Sequence, residues 1–283
     1  MSILKDLQSD EKSKPSILPF HTITTSSLKA PSTDESTTPR TTTFRTEIAA
    51  FIGELIGTFM FLFMAFTAAQ IAVNSTSSSS SNSNSSGLKA GATPPPDLLK
   101  LLYISLAFSM SLAVNVAIFA DISGAKFNPA VTTALVLTRK IHWHRALHTI
   151  LAQLVAAATA AALVSTLIPT PLTIDTTISP STSIGQAVLL ETFATFQLIL
   201  TILMLEGSSA KPMYIGLALF ITQISTVFFS GGSLNPARSF GPAVLNGFLE
   251  YHWVYWVGPL LGAGLASGVY WVIGFVRREA DAF

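Results

Sequence analysis

Two copies of one tripeptide constrain this chain more than any other feature: Asn128-Pro129-Ala130 and Asn235-Pro236-Ala237. Each follows a glycine turn, Ser123-Gly124 in the first case and Ser230-Gly231-Gly232 in the second, and each opens an apolar stretch about half a helix long. Asn is a favoured helix N-cap, because its side-chain oxygen accepts one of the backbone N–H groups that the first turn leaves unpaired. Pro suits the next position, where the N–H it lacks has no intrahelical partner. Ala in third place lets two such helix starts approach closely. Each start carries roughly +0.5 of an elementary charge. A single Asn-Pro-Ala could begin any helix. Two of them in matching contexts point to a pair of helix starts that meet inside a hydrophobic protein.

The rest of the chain supplies that environment. Of 283 residues, 49% are hydrophobic and only 11% are charged, where a soluble domain carries about 25% charged residues. The expected fold is an all-α membrane protein. Spans of at least the ~20 residues that a bilayer helix needs, or close to it, run from about Ile48 to Val73, Leu101 to Ile122, Ala146 to Ile168, Ile184 to Leu205, Met213 to Phe229 and Trp253 to Val276. Two half-helices, about Pro129 to Leu137 and Pro236 to Leu245, lie between them. Trp253, Tyr255, Trp256, Tyr270 and Trp271 include interfacial anchors. A net charge of +1 argues against nucleic acid as a partner, and the lack of cysteine excludes disulfides, thiol catalysis and thiolate metal sites.

The polar segments divide the chain further. Residues 1–45 are rich in Ser, Thr, Pro and Lys and read as a disordered cytoplasmic tail, a possible target of phosphorylation. Met1 to Pro15 has no apolar core, so no cleaved signal peptide is expected. The membrane domain covers 46–277, and 278–283 form a short second tail. Residues 74–97, a Ser/Asn run ending in Pro94-Pro95-Pro96, are expected to be a flexible loop. That loop holds two glycosylation sequons, at Asn74 and Asn84. With six spans, Arg40, Arg45, Arg139, Lys140, Arg145, Lys211, Arg277 and Arg278 fall on one side. The positive-inside rule then puts both termini in the cytoplasm and the Ser/Asn loop outside.

The chain also repeats. Glu54-Leu-Ile-Gly-Thr58-Phe59 echoes Glu191-Thr-Phe-Ala-Thr195-Phe196, and Tyr103-Ile-Ser-Leu-Ala107 echoes Tyr214-Ile-Gly-Leu-Ala218. Repeat 1 spans about 46–168 and repeat 2 about 184–277. With three spans in each, the second repeat is inserted upside down. Inverted repeats with broken helices place the functional site near the bilayer midplane. Non-helical backbone at that depth is tolerated where it lines a water-filled cavity. The two Asn-Pro-Ala turns should therefore enter from opposite faces and meet. Glu54 and Glu191, charged residues within spans, should face the protein interior.

Over about residues 47–276 these motifs, together with Arg238, resemble the major intrinsic protein (aquaporin) family, and Gly231-Gly232-Ser-Leu-Asn-Pro-Ala-Arg-Ser-Phe-Gly-Pro242 resembles its orthodox fungal water channels. The resemblance implies six membrane helices plus two re-entrant half-helices, and a homotetramer with one pore per subunit. It implies a passive water channel, with water as solute, membrane lipid as surroundings and no cofactor. The plasma membrane is the expected location. By the same resemblance Arg238 lines the narrowest constriction, and counting from the motifs adds Phe108, Gln223 and Gly232. Orthodox channels most often have His where this chain has Gln223, and Gly232 offers no side chain. Both departures open a second reading, in which hydrogen peroxide, glycerol or urea also pass. Ser239, Ala243 and the pair Tyr255-Trp256 match the water-conducting branch instead. Glu54 and Glu191 are implied to accept backbone hydrogen bonds near each turn.

Within such a pore each Asn oxygen caps its helix while the amide NH₂ of Asn128 and Asn235 donates to one water. The facing helix ends repel cations and orient waters oppositely on either side, which interrupts proton hopping. The glycine turns are expected to be extended and to offer carbonyls as acceptors, from Gly124, Ala125 and Lys126 in one half and from Gly231, Gly232 and Ser233 in the other. His144 and His148, four residues apart, read as ordinary turn histidines rather than a metal site. Small residues at 156–162 and 258–268 suit close helix packing. A secondary transporter, a closed structural membrane protein and an enzyme are the competing classes. A transporter would need a coupling-ion site, for which Glu54 and Glu191 are the main groups, and no nucleophile–base constellation suggests an enzyme.

Overall fold

A computed structural model describes residues 44–80, 96–205 and 207–280. Among these the chain is helical, with no strand. The elements are α1 (Phe44–Ser80), α2 (Leu98–Ser123), α3 (Pro129–Leu137), α4 (Trp143–Leu167), α5 (Ile184–Met204), α6 (Lys211–Ser230), α7 (Pro236–Asn246) and α8 (Val254–Ala280). Six of them are long and apolar enough to cross a membrane, and α3 and α7 are the two half-helices.

Local chemistry sets most of the ends. Asp97 caps α2, its carboxylate accepting from Lys100 N at 3.1 Å. Ser183 and Gln186 form a reciprocal capping box at α5, with bonds of 3.3 and 2.8 Å. The helices α2 and α6 both stop at a left-handed glycine, Gly124 with φ 89° and Gly231 with φ 86°.

Helix α1 differs from expectation. It runs on to Ser80, so the first part of the predicted loop, including Asn74, is helical. The cause is polar and therefore invisible to hydropathy. Gln70 donates to Pro171 O at 3.1 Å and accepts from Thr173 N at 2.9 Å, while Asn74 Nδ2 donates to Thr170 Oγ1 at 3.0 Å. These bonds tie the end of α1 to the α4–α5 connection. Asn84, the other sequon, lies outside the described residues, as do residues 1–43 of the expected tail. At the other end α8 continues through Ala280, past the boundary expected at 277.

The two halves pack alike. Helix α1 lies against α2 and α4, and α5 lies against α6 and α8. The halves join through α2 and α6, and each half-helix crosses over: α3 packs on α8 and α7 packs on α4. Small residues make the crossings possible. A Cβ on Gly241 of α7 would lie 2.5 Å from Ala157 O of α4, and one on Gly262 of α8 would lie 2.5 Å from Thr192 O of α5. The outward faces are apolar, with Ile52, Met64, Val114, Leu151, Leu217 and Val272 all exposed. Polar side chains are drawn inward, and Glu54, Thr58, Gln153, Glu191, Thr195 and Gln223 are buried. That polarity suits a lipid solvent outside and a polar path within.

Candidate functional site

The two Asn-Pro-Ala turns meet. Asn128 Oδ1 accepts from Ala130 N at 2.8 Å, and Asn235 Oδ1 accepts from Ala237 N at 3.0 Å, so each side chain caps its own half-helix. Each amide also reaches across the repeat. Asn128 Nδ2 donates to Leu234 O and Asn235 Nδ2 donates to Phe127 O, both at 2.8 Å. The cross-brace is reciprocal and engages one of the two hydrogens on each amide. The second hydrogen remains for the cavity that both residues line.

The turns leading into them share a backbone conformation, which is not the extended one expected. Gly124, Ala125 and Phe127 have φ of 89°, 46° and 52°; Gly231, Gly232 and Leu234 have 86°, 55° and 53°. Left-handed backbone costs a residue with a Cβ about 1–2 kcal/mol. The two buried carboxylates offset that cost by holding the amides. Glu54 accepts from Phe127 N at 2.6 Å, and Glu191 accepts from Leu234 N at 2.7 Å and Ser233 N at 2.9 Å. Gln153 Nε2 and Ser230 Oγ supply one further bond each, both at 2.7 Å, to Glu54 and Glu191 respectively. Each acid is thus bonded to the turn of its own repeat.

A cavity of about 480 Å³ runs along this junction. Its wall includes Gly124, Ala125, Lys126 and Ser233 of the expected carbonyl set, together with Asn128 and Asn235. Gly231 and Gly232 do not line it, and the carbonyl of Gly232 is occupied by Gln223 Nε2 at 3.1 Å. At one end stand Phe108, Gln223 and Arg238, all buried. The Arg238 guanidinium lies over two rings, 5.2 Å from the centre of Phe108 and 5.8 Å from that of Phe66. Its Nη1 donates to Ile174 O at 3.0 Å and to Thr176 Oγ1. Two polar atoms here have no protein partner among the described residues: Arg238 Nε, a donor, and Gln223 Oε1, an acceptor. Both atoms are themselves buried, in side chains that line the cavity. Gly232 lies beside Gln223, and its left-handed φ of 55° leaves no room for a side chain, since a Cβ would fall 2.7 Å from Val227 Cγ2.

Thr176 was not singled out by the sequence, because it lies in an irregular loop with no period. It anchors Arg238 and starts a chain of hydroxyls: Thr176 Oγ1 to Ser239 Oγ at 2.7 Å, Ser239 Oγ to Ser233 Oγ at 2.6 Å, and Ser233 Oγ to Asn235 O at 3.0 Å. Arg238 is thereby tied to the second Asn-Pro-Ala turn. Thr176→Val is expected to destabilise the protein by about 1.5–3 kcal/mol, the usual loss for a hydrogen bond to a charged group. Freed on that side, Arg238 should discriminate less, so the glycerol-to-water permeability ratio of reconstituted vesicles should rise. Thermal melting in detergent and stopped-flow light scattering measure the two effects.

Elsewhere, Arg145 pairs with Glu47 at 3.8 Å beside His148. No group of three His, Asp or Glu able to hold a metal occurs among the described residues. His252, on the turn before α8, is half-buried; desolvation lowers its pKa from the usual imidazole value, and Asp175 partly opposes the shift.

A profile described as "Major intrinsic protein" matches residues 40–270. The chain belongs to that family. It is a multi-pass membrane protein, and the family is one of membrane channels. Among relatives, "Aquaporin-2" of Botryotinia fuckeliana is 44% identical over 236 residues, covering 81% of this chain and 60% of that protein. "Probable aquaporin-5" of Gibberella zeae is 42% identical, covering 83% of this chain and 43% of that protein. The chain thus spans about half the length of these relatives. "Probable aquaporin-3" of Gibberella zeae, also 42% identical, is spanned to 81% of its length. In fold, the chain resembles the X-ray structure of the aquaglyceroporin from Plasmodium falciparum. The TM-score is 0.64 at 24% identity, covering 79% of this chain and 95% of that one.

Proposed function

We propose that this protein is a passive water channel whose path is the cavity at the junction of the two Asn-Pro-Ala turns. The observation that carries the reading is the reciprocal brace. It leaves two amide donors, from Asn128 and Asn235, facing one cavity at the point where two positive helix ends converge. A water passing there accepts from both amides and turns its own hydrogens away. Its neighbours on either side are then oriented oppositely, and a proton cannot hop through the file. Arg238 adds a fixed cation at one end. Phe108, which packs against it and lines the cavity, limits the width.

The relatives named as aquaporins support water as the solute. A second reading rests on Gln223. Gln223 lines the cavity with a neutral amide, a group that can both donate and accept, which suits a solute that does the same, such as hydrogen peroxide, urea or glycerol. The family resemblance and the charge distribution further support a homotetramer in the plasma membrane with both termini in the cytoplasm.

The test is stopped-flow shrinkage of proteoliposomes, first against an impermeant osmolyte and then against glycerol and urea. Water permeability no higher than in protein-free vesicles would overturn the leading reading, fast glycerol flux would favour the second, and saturable uptake driven by an ion gradient would favour a transporter. Gln223→His is expected to lower peroxide permeability relative to water, because the imidazole fills space that the bound amide leaves open. An unchanged ratio would remove Gln223 from solute choice.

A further inference from the structure

Lys126, Lys140 and Lys211 line this cavity and are not used by the mechanism above, and of the three only Lys126 is buried. The side chain of Lys126 is only 4% exposed, yet the residue lines the cavity on the side of the turns away from Arg238. Its Nζ donates to Ser123 O, at the C-terminal end of α2, at 2.5 Å and lies 3.7 Å from Glu54 Oε2. Glu54 Oε2 also faces Lys126 N at 3.4 Å, while Oε1 carries the short bonds to Phe127 N and Gln153 Nε2. The position equivalent to Lys126 in the second repeat is Ser233, whose hydroxyl binds Asn235 O and Ser239. There Arg238 is the cation in electrostatic range of Glu191. The halves thus reach the same balance by different residues, with one buried carboxylate and one buried cation in each.

We propose that Lys126 is a selectivity residue: it lines the cavity, and its ammonium cancels the Glu54 carboxylate buried behind it and keeps that half of the cavity closed to cations. The physical reason is the cost of an uncompensated charge. Water enters this cavity, and an uncompensated carboxylate buried just behind its poorly solvated wall attracts any small cation that can follow. The helix ends at the midplane and Arg238 repel a cation only after it has entered. The C-terminal end of α2 adds partial negative charge at the same spot, and Lys126 Nζ covers that end as well.

The inference rests on reading the cavity as the water path, and the experiment separates the two. Proteoliposomes of the whole chain are loaded with a potassium-sensitive dye. Potassium influx under an imposed gradient and osmotic water permeability are then measured on the same preparation, for wild type and for Lys126→Met, Lys126→Gln, Lys126→Arg and Glu54→Gln/Lys126→Met. The expected result is at least a tenfold rise in the potassium-to-water ratio for the Met and Gln variants. The Arg variant should keep the wild-type ratio, and the charge-balanced double variant should return towards it. If Lys126→Met does not fold, Lys126→Gln and the double variant carry the comparison. A wild-type ratio in both single neutral variants overturns the proposal. So does a leak as large in the double variant as in the single ones, because the cause is then a loosened turn rather than an exposed charge. A wild type without water permeability instead overturns the channel reading itself.

Discussion

Glu191→Ala should reduce osmotic water permeability to that of protein-free vesicles. The carboxylate accepts from Ser230 Oγ, Ser233 N and Leu234 N, and all three donors are buried. Removing it leaves two backbone donors unpaired at about 1–3 kcal/mol each, and leaves Ser230 Oγ only its 3.4 Å bond to Thr226 O. Leu234 would also keep a left-handed backbone, with φ 53°, and only the Asn128 bond to its carbonyl to hold it there. Total folding stability is about 5–15 kcal/mol, so the loss is large enough to release the turn that presents Asn235. Once it is released, the Asn235–Phe127 brace goes with it, and the first turn loses its partner. Glu191→Gln gives a graded result. Its one carbonyl oxygen can retain the two bonds that Oε1 makes, but its NH₂ must then face Leu234 N, donor against donor. An intermediate permeability and a smaller drop in melting temperature are expected for Gln. Wild-type permeability in Glu191→Ala would show that the turn is held by something else.

The parts of this site that were legible in sequence are those encoded locally. An Asn-Pro-Ala after a glycine turn specifies its own N-cap, and the observed starts of α3 and α7 are Pro129 and Pro236 as expected. Six apolar runs specify six long helices. Charge patterns could not reveal the bonds between segments. Thr176 acquires meaning only because its loop folds back over Arg238, more than sixty positions away in the chain. Gln70 and Asn74 extend α1 for the same reason, through partners near position 170. The backbone of the turns is illegible in sequence on a different ground. Phe127 and Leu234 would not adopt left-handed φ on local preference, and it is carboxylates from α1 and α5 that select it. The repeat of acids was readable at Glu54 and Glu191. The pairing of Lys126 with one of them was not, since Ser233 breaks the symmetry at that position.

Arg238→Ala tests the other end of the cavity. The guanidinium is buried against the rings of Phe108 and Phe66 and fixed by Ile174 O and Thr176, and the residue lines the cavity. Alanine removes the only charge among Phe108, Gln223, Gly232 and Arg238, and most of the bulk of that side chain. A unit charge about 4 Å from a passing cation contributes about 4 kcal/mol at an effective dielectric constant of 20. At 1.4 kcal/mol per factor of ten, that is a barrier of roughly a thousandfold. Water, which carries no net charge, does not feel that term. The expected outcome is water permeability within a few-fold of wild type, with potassium and proton leak rising by at least tenfold and glycerol entering faster. The measured leak should fall short of the full thousandfold, because the paired helix ends and Lys126 still oppose cations further along. A combined Arg238→Ala/Lys126→Met variant should therefore leak more than either change alone. If the combined leak equals that of Arg238→Ala, Lys126 forms no barrier in series with it.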